Sequence, residues 1–187
     1  MSRRICPRAT PCIALFCALS AACTTRLDPT LTLVAADAGE AGNCIATDSS
    51  GSRYWICSTL AFFDSAARDC SARGASLAQV SSAEENDFLA LSASDIGTHS
   101  NLWIGGTSDD EHVWTWPDGT VFWIGLAAGS APDGLYANWK AGEPNDSSTV
   151  VDESERCAAL TLFDTQWNDR ACSLELSYIC ELALATP

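Results

Sequence analysis

Two short polar clusters near the C-terminal end of the chain, Glu143-Pro144-Asn145 and Trp167-Asn168-Asp169, flank a third acid, Glu155. Together they offer five oxygen-bearing side chains: the carboxylates of Glu143, Glu155 and Asp169, and the amides of Asn145 and Asn168. This suits a hard cation such as calcium, which takes 6–8 oxygen ligands at roughly 2.3–2.6 Å, several of them carboxylates. Zinc is a poorer match. The chain has two histidines, His99 and His112, and no Cys-x2-Cys spacing outside its first 23 residues. Taken alone, Glu143, Asn145 and Asp146 could be no more than a solvated turn; the Asn168-Asp169 pair and Glu155 turn the reading toward a cation site. No residue reads as a nucleophile or general acid, because the acids in question are committed to metal. The expectation is therefore binding, not enzymatic catalysis.

The elements that must position these residues occupy the second part of the chain. The formal charge of the whole is -14. Such a surface repels phosphate backbones, which argues against nucleic acid as a partner. The first 23 residues have the character of a signal peptide. Arg3 and Arg4 precede an apolar run, Ile13 to Ala22, too short to span a bilayer, and small residues follow it. Leu19-Ser20-Ala21-Ala22-Cys23 is similar to a bacterial lipoprotein cleavage site, although Leu19 lies one place too far upstream. Two fates stay open: lipidation of Cys23 with anchoring to a membrane, or ordinary cleavage after Ala21 or Ala22. Either predicts export, to the cell envelope or the medium. Residues 24–43, rich in Ala, Thr and Asp, read as a linker.

Of the ten cysteines, Cys6, Cys12, Cys17 and Cys23 lie in the leader. Cys44, Cys57, Cys70, Cys157, Cys172 and Cys180 remain, an even number that argues for three disulfides in an exported domain. Six cysteines allow 15 pairings, and spacing does not choose among them.

From Cys44 onward the chain is rich in tryptophan and closely spaced apolar segments. Phe63, Ala66, Ala67 and Cys70 fall at i, i+3, i+4 and i+7, one face of a helix. Ser82 with Glu85 three residues later forms a capping box, opening a second helix through Phe88, Leu89 and Leu91. Leu102-Trp103-Ile104, Val113 to Trp116, Cys157 to Leu162 and Tyr178 to Glu181 read as strands. Val121 to Asp152 is rich in Gly, Pro, Asn and Asp and reads as a long functional loop. Helices first and strands afterward indicate an α+β domain.

At this point the motifs resemble a family. Phe63-x-x-Ala66-x-x-x-Cys70, Gly74-Ala75-Ser76-Leu77-Ala78, the Glu84-containing helix and Trp103-Ile104-Gly105-Gly106 come first. Trp114-Thr115-Trp116 with Asp118-Gly119, then Asn138-Trp139-Lys140-Ala141-Gly142 leading into Glu143-Pro144-Asn145, follow. Trp167-Asn168-Asp169 and Tyr178-Ile179-Cys180-Glu181 complete the series. In this order they resemble a bacterial C-type lectin domain of the long form, over residues 44–183. The resemblance implies the C-type lectin fold: two helices, small antiparallel sheets, a long calcium-binding loop region and three disulfides, Cys44–Cys57, Cys70–Cys180 and Cys157–Cys172. It implies one principal Ca2+ site built by Glu143, Asn145, Glu155, Asn168 and Asp169, which also contact the carbohydrate, with Pro144 following a cis peptide bond. Glu-Pro-Asn is the order the family associates with mannose, N-acetylglucosamine, fucose or glucose rather than galactose. It also buries Trp103, Trp114, Trp116, Trp139 and Trp167, and leaves Trp123 and Tyr136 as stacking candidates. Glycans or glycoconjugates are the implied partners; a protein-interaction module with purely structural calcium is the alternative.

The sequence departs from that pattern in four places, one of them a stretch between Gly119 and Asn138 longer than in the animal lectins. Phe63 stands where Trp is usual, and Arg156 stands where some members carry an acid for a second calcium. The stretch from Asp146 to Ser154 is a long acidic, Ser-rich insertion before Glu155. Asp146 and Glu155, with Asp109 or Asp110 as distant candidates, are what remains for a second ion, which stays unassigned, as does the oligomeric state.

Overall fold

The computed structural model describes residues 43–95, 97–98, 100–151 and 153–184. The expected signal peptide over 1–23 with Cys23, the linker 24–43 apart from Asn43, and His99 lie outside the described residues. Among the described residues no helix is long and apolar enough to cross a membrane.

Two strands, β1 (Cys44–Ser49) and β2 (Ser52–Ala61), open the domain as a hairpin. Its two-residue turn, Ser50-Gly51, has positive φ at both positions, which matches the twist of the flanking strands. Helix α1 (Phe63–Ala72) follows, then β3 (Ser76–Leu77), α2 (Ala83–Asp95), β4 (Asn101–Ser108), β5 (Val113–Thr115) and β6 (Val121–Ile124). A 3-10 turn at Pro132–Gly134 interrupts the long loop, and β7 (Glu155–Thr161), β8 (Trp167–Ala171) and β9 (Leu176–Ala183) close the domain.

The strands join into one nine-stranded sheet with the path β1-β2-β9-β4-β5-β6; β3 adds to β9, β7 to β4 and β8 to β7. The expected antiparallel pairings form, within one mixed sheet rather than in antiparallel sheets alone. β4 and β9 pair in parallel through Leu102↔Ser177 and Trp103↔Tyr178, so the terminal and central parts form a single mixed sheet. A parallel contact between segments so distant in sequence leaves no local pattern to read.

Both helices form where periodicity placed them. α1 buries Phe63, Ala66 and Cys70, with the Phe63 ring edge-on to Trp103 at 5.4 Å. The Ser82 hydroxyl accepts the Glu85 N–H at 3.1 Å, as a capping box requires. The reciprocal arm is diverted: Glu85 Oε2 takes the backbone N–H and the hydroxyl of Ser81, and Oε1 takes the Tyr54 hydroxyl at 2.6 Å. Leu91, expected on the apolar face, is 67% exposed; Asn86, Leu89, Ala90 and Ala93 form the buried stripe.

Trp103, Trp114, Trp116 and Trp167 are buried as expected, and half-buried Trp139 lies edge-on to Trp114 and Trp167 at 4.7 and 5.8 Å. Gly105 is required by close approach: a Cβ there would sit 2.7 Å from the Leu77 carbonyl oxygen and 2.6 Å from Pro117 Cγ. The three disulfides pair Cys44–Cys57, Cys70–Cys180 and Cys157–Cys172. They tie the hairpin, α1 to β9, and β7 to the turn after β8.

Candidate functional site

β8 and the start of β7 are the platform of the site. Along β8 exposure alternates: Trp167, Asp169 and Ala171 are buried, Asn168 and Arg170 partly exposed. Asp169 pairs with Ala158 and Asn168 with Ala159, while Glu155 opens β7 opposite Ala171. β8 was not expected as a strand, because three consecutive polar residues, Asn168 to Arg170, separate its apolar ends.

The free edge of β8 takes a segment of the long loop. The Trp167 N–H donates to the Asn138 carbonyl and the Lys140 N–H to the Trp167 carbonyl, both at 2.8 Å. A turn follows, with Glu143 N–H on the Lys140 carbonyl at 2.8 Å and Gly142 at φ 93°. It delivers Glu143 to the site. The Glu143–Pro144 peptide bond is cis, and Pro144 is buried. Beyond it, the N–H groups of Asn145 and Asp146 both donate to Asp169 Oδ2, at 2.9 and 2.7 Å. The N–H of Glu155 donates to Asp146 Oδ1 at 2.6 Å. The structure thus gathers Glu143, Asn145, Glu155, Asn168 and Asp169 into one region from one loop and two strands.

Three oxygens there are buried without a hydrogen-bond donor: Glu143 Oε2, Asn168 Oδ1 and Asp169 Oδ1. Asp169 and Glu155 are 0% and 5% exposed. Unpartnered buried acceptors are costly and uncommon in folded proteins. Burial, followed by the neighbouring Asp169 charge, raises the pKa of Glu143. Glu155 is pushed up to about 7, by burial first and then by Asp169. Asp169 is raised by burial against the lowering pull of its backbone N–H donors. Lys140 and Arg170 offset this only in part, and the Lys140 ammonium is paired with Asp164 at 2.9 Å.

Crowded acids with orphaned oxygens fit a divalent cation: its charge would relieve the repulsion and its coordination would satisfy the oxygens. Calcium fits this donor set of carboxylates and amides better than a softer metal. Among the described residues, Cys44, Cys57 and Asp69 have ligand atoms within 4.8 Å of one another, but both sulfurs belong to a disulfide.

The candidates for a second ion are engaged elsewhere. Asp109 Oδ1 accepts the N–H groups of Glu111 and Val113, at 3.1 and 2.8 Å. Asp110 pairs with Arg156. Trp123 and Tyr136 are half-buried. The Trp123 indole N–H donates to the Leu126 carbonyl at 3.2 Å, and Tyr136 packs edge-on to Trp167 at 5.6 Å.

Asn86 was missed. Its side chain accepts the Trp167 indole N–H at 2.8 Å and donates to the Thr165 carbonyl at 2.8 Å, fixing the start of β8 against α2. Its position three, four and seven residues before Leu89, Ala90 and Ala93 was the available signal.

The sequence profile of the Lectin C-type domain matches residues 60–182. Rat (Rattus norvegicus) asialoglycoprotein receptor 1 is 32% identical over 135 residues, covering 72% of this chain and 42% of the receptor. Ladderlectin of Oncorhynchus mykiss is 36% identical over 126 residues, covering 65% of this chain and 58% of its own length. The chain thus spans about half the length of these relatives. The mouse scavenger receptor C-type lectin carbohydrate-recognition domain superposes with a TM-score of 0.61 at 26% identity, over 75% of this chain and 96% of that one. A calcium-independent type II antifreeze protein superposes at 0.58 and 24% identity, over 76% and 97%, a likeness of fold alone. By its matched profile, its relatives and its fold, the chain belongs to the C-type lectin domain family.

Proposed function

We propose that the protein is a non-catalytic, calcium-dependent glycan-binding module whose preference lies with mannose, N-acetylglucosamine and fucose-type sugars. The observation that carries this reading is the set of unpartnered buried oxygens on Glu143, Asn168 and Asp169, in a region where burial raises all three acids and the Asp169 charge raises Glu143 and Glu155 further. Glu143, Asn145, Glu155, Asn168 and Asp169 would hold the ion. When bound, calcium supplies open coordination positions that two adjacent sugar hydroxyls can fill. Each hydroxyl can then accept from an amide of Asn145 or Asn168 and donate to a carboxylate of Glu143 or Glu155, using its full hydrogen-bonding capacity. Amide and acid in the order Glu143–Asn145 select the hydroxyl geometry, which is the basis of the mannose-type assignment.

The domain, in this proposal, spans residues 44–183. A leader over 1–23 would direct export, with Cys23 as the site of lipid attachment if the protein is anchored. Single-site sugar binding is weak, and display on a membrane would strengthen it through multivalency.

Calorimetric titration with calcium, repeated with mannose and with galactose, tests the reading. Calcium binding, followed by calcium-dependent heat with mannose and little with galactose, is expected. Calcium binding without a response to any sugar on a glycan array would replace the lectin assignment with a protein-interaction module. No calcium binding would overturn both.

A further inference from the structure

Asp146 stands at a junction that none of the five expected ligands occupies. Its backbone N–H donates to Asp169 Oδ2 at 2.7 Å, and its side-chain Oδ1 accepts the Glu155 N–H at 2.6 Å. One residue therefore ties the buried acid of β8 to the buried acid that opens β7. The backbone at Asp146 has φ 53°, a left-handed conformation that Asp tolerates better than most residues and that lets one residue bond both ways. Glu155 ends the long insertion, which closes back on its own start through the bond to Asp146.

Arg156 follows directly, and its guanidinium pairs with Asp110. The residue after Glu155 on β7 thus carries a fixed positive charge, already paired with one of the two distant second-ion candidates. Asp109, the other candidate, is held by two backbone N–H groups.

We propose that Asp146 is a positioning residue, a carboxylate strut that sets Glu155 and Asp169 for a single ion, and that with Arg156–Asp110 it takes the place of a second calcium. This rests on the calcium reading above for the stoichiometry, but the strut itself exists without metal. The domain accordingly takes one calcium per chain, and the acidic insertion is braced before the ion arrives.

The test uses the full chain with Asp146→Asn and Asp146→Ala. Asp146→Asn keeps an acceptor oxygen; Asp146→Ala removes it. Two quantities are read: hydrogen exchange at the Glu155 amide in chelator, and calcium stoichiometry and affinity by calorimetry. In the wild type and Asp146→Asn, the Glu155 amide should be protected to a similar degree, with one calcium bound and affinities within about threefold of each other. In Asp146→Ala that amide should exchange roughly tenfold or more faster, and calcium affinity should fall by about tenfold, the cost of one lost charged hydrogen bond. Two ions per wild-type chain would overturn the proposal, as would Asp146→Asn losing calcium as fully as Asp146→Ala, which would make the carboxylate a ligand. Unchanged Glu155 exchange in Asp146→Ala would remove the strut. If the wild type binds no calcium, the calcium reading fails and the exchange data alone still decide whether the strut exists.

Discussion

Asp169 Oδ2 accepts the backbone N–H of Asn145 at 2.9 Å, joining a strand residue to a loop residue 24 positions away. The same oxygen also takes the Asp146 N–H, so one buried carboxylate organises the loop with Oδ2 and leaves Oδ1 unpartnered. In the proposed reading, Oδ2 holds the loop and Oδ1 is left to face the ion.

That division separates two substitutions. Asp169→Asn can keep an acceptor for the loop while removing the charge, so the fold should persist in chelator, at equal or higher melting temperature because repulsion with Glu143 and Glu155 is relieved. Its calcium affinity should fall by roughly a hundredfold or more, since a charged ligand to a hard cation is lost. Asp169→Ala strands two N–H groups as well and should cost about 2–4 kcal/mol of stability. Thermal melts in chelator and calcium calorimetry distinguish them; equal melting of the two variants would refute the structural role of Oδ2.

The raised acids predict opposite pH trends with and without calcium. A carboxyl whose folded pKa lies above its unfolded value binds more protons folded than unfolded between the two values, so stability falls as pH rises through that window. For Glu155 the window runs from about 4.5 to about 7, and Glu143 and Asp169 shift in the same direction. In chelator these groups should make the domain more stable near pH 5 than near pH 8. Calcium needs the ionised forms, so its affinity should drop by about tenfold or more between pH 7.5 and pH 5.5. Melting temperatures and calcium titrations across this range provide the check, and a calcium affinity independent of pH would contradict the burial of these groups.

Exchanging amide and acid tests the basis of sugar choice. The double substitution Glu143→Gln, Asn145→Asp retains three carboxylates and two amides while reversing their order on either side of Pro144. Calcium binding should survive within about tenfold, and preference on a glycan array should move from mannose-type sugars toward galactose. An unchanged sugar profile would mean that these side chains do not contact the sugar.

The disulfides should contribute unequally. Cys70–Cys180 closes a separation of 110 residues and Cys157–Cys172 one of 15. On chain entropy these are worth about 4–5 and about 3 kcal/mol respectively. Replacing each pair by serine and measuring denaturant unfolding should rank them in that order. Loss of Cys157–Cys172 should also weaken calcium binding, because it ties the end of β8 to β7, whereas loss of Cys70–Cys180 should act mainly on stability.

Much of this was legible in the residues themselves. The Phe63–Cys70 face, the Ser82–Glu85 cap and the order of tryptophan-rich motifs rest on local spacing, which sequence displays directly. The five residues proposed for the site stood out as donor chemistry, oxygen-rich and free of competing nucleophiles. Leu91 misled because in a helix so rich in alanine the true stripe runs through small residues and one polar one, Asn86.

Sequence by itself determined both helices, the strands around Trp103, Trp114, Cys157 and Tyr178, and which side chains offer oxygen donors to the proposed site; β6 and β8 were not legible in it. Tertiary structure alone decided that Asp169 is buried while its neighbour Asn168 is not, that Glu143 Oε2 and Asn168 Oδ1 are left without donors, and that Asp146 bridges Asp169 and Glu155. It also decided that β4 and β9 meet in parallel to make one sheet. The physical reason is common to all four. Each depends on contacts between segments far apart in the chain, whose geometry is set by packing and hydrogen-bond satisfaction in the folded state.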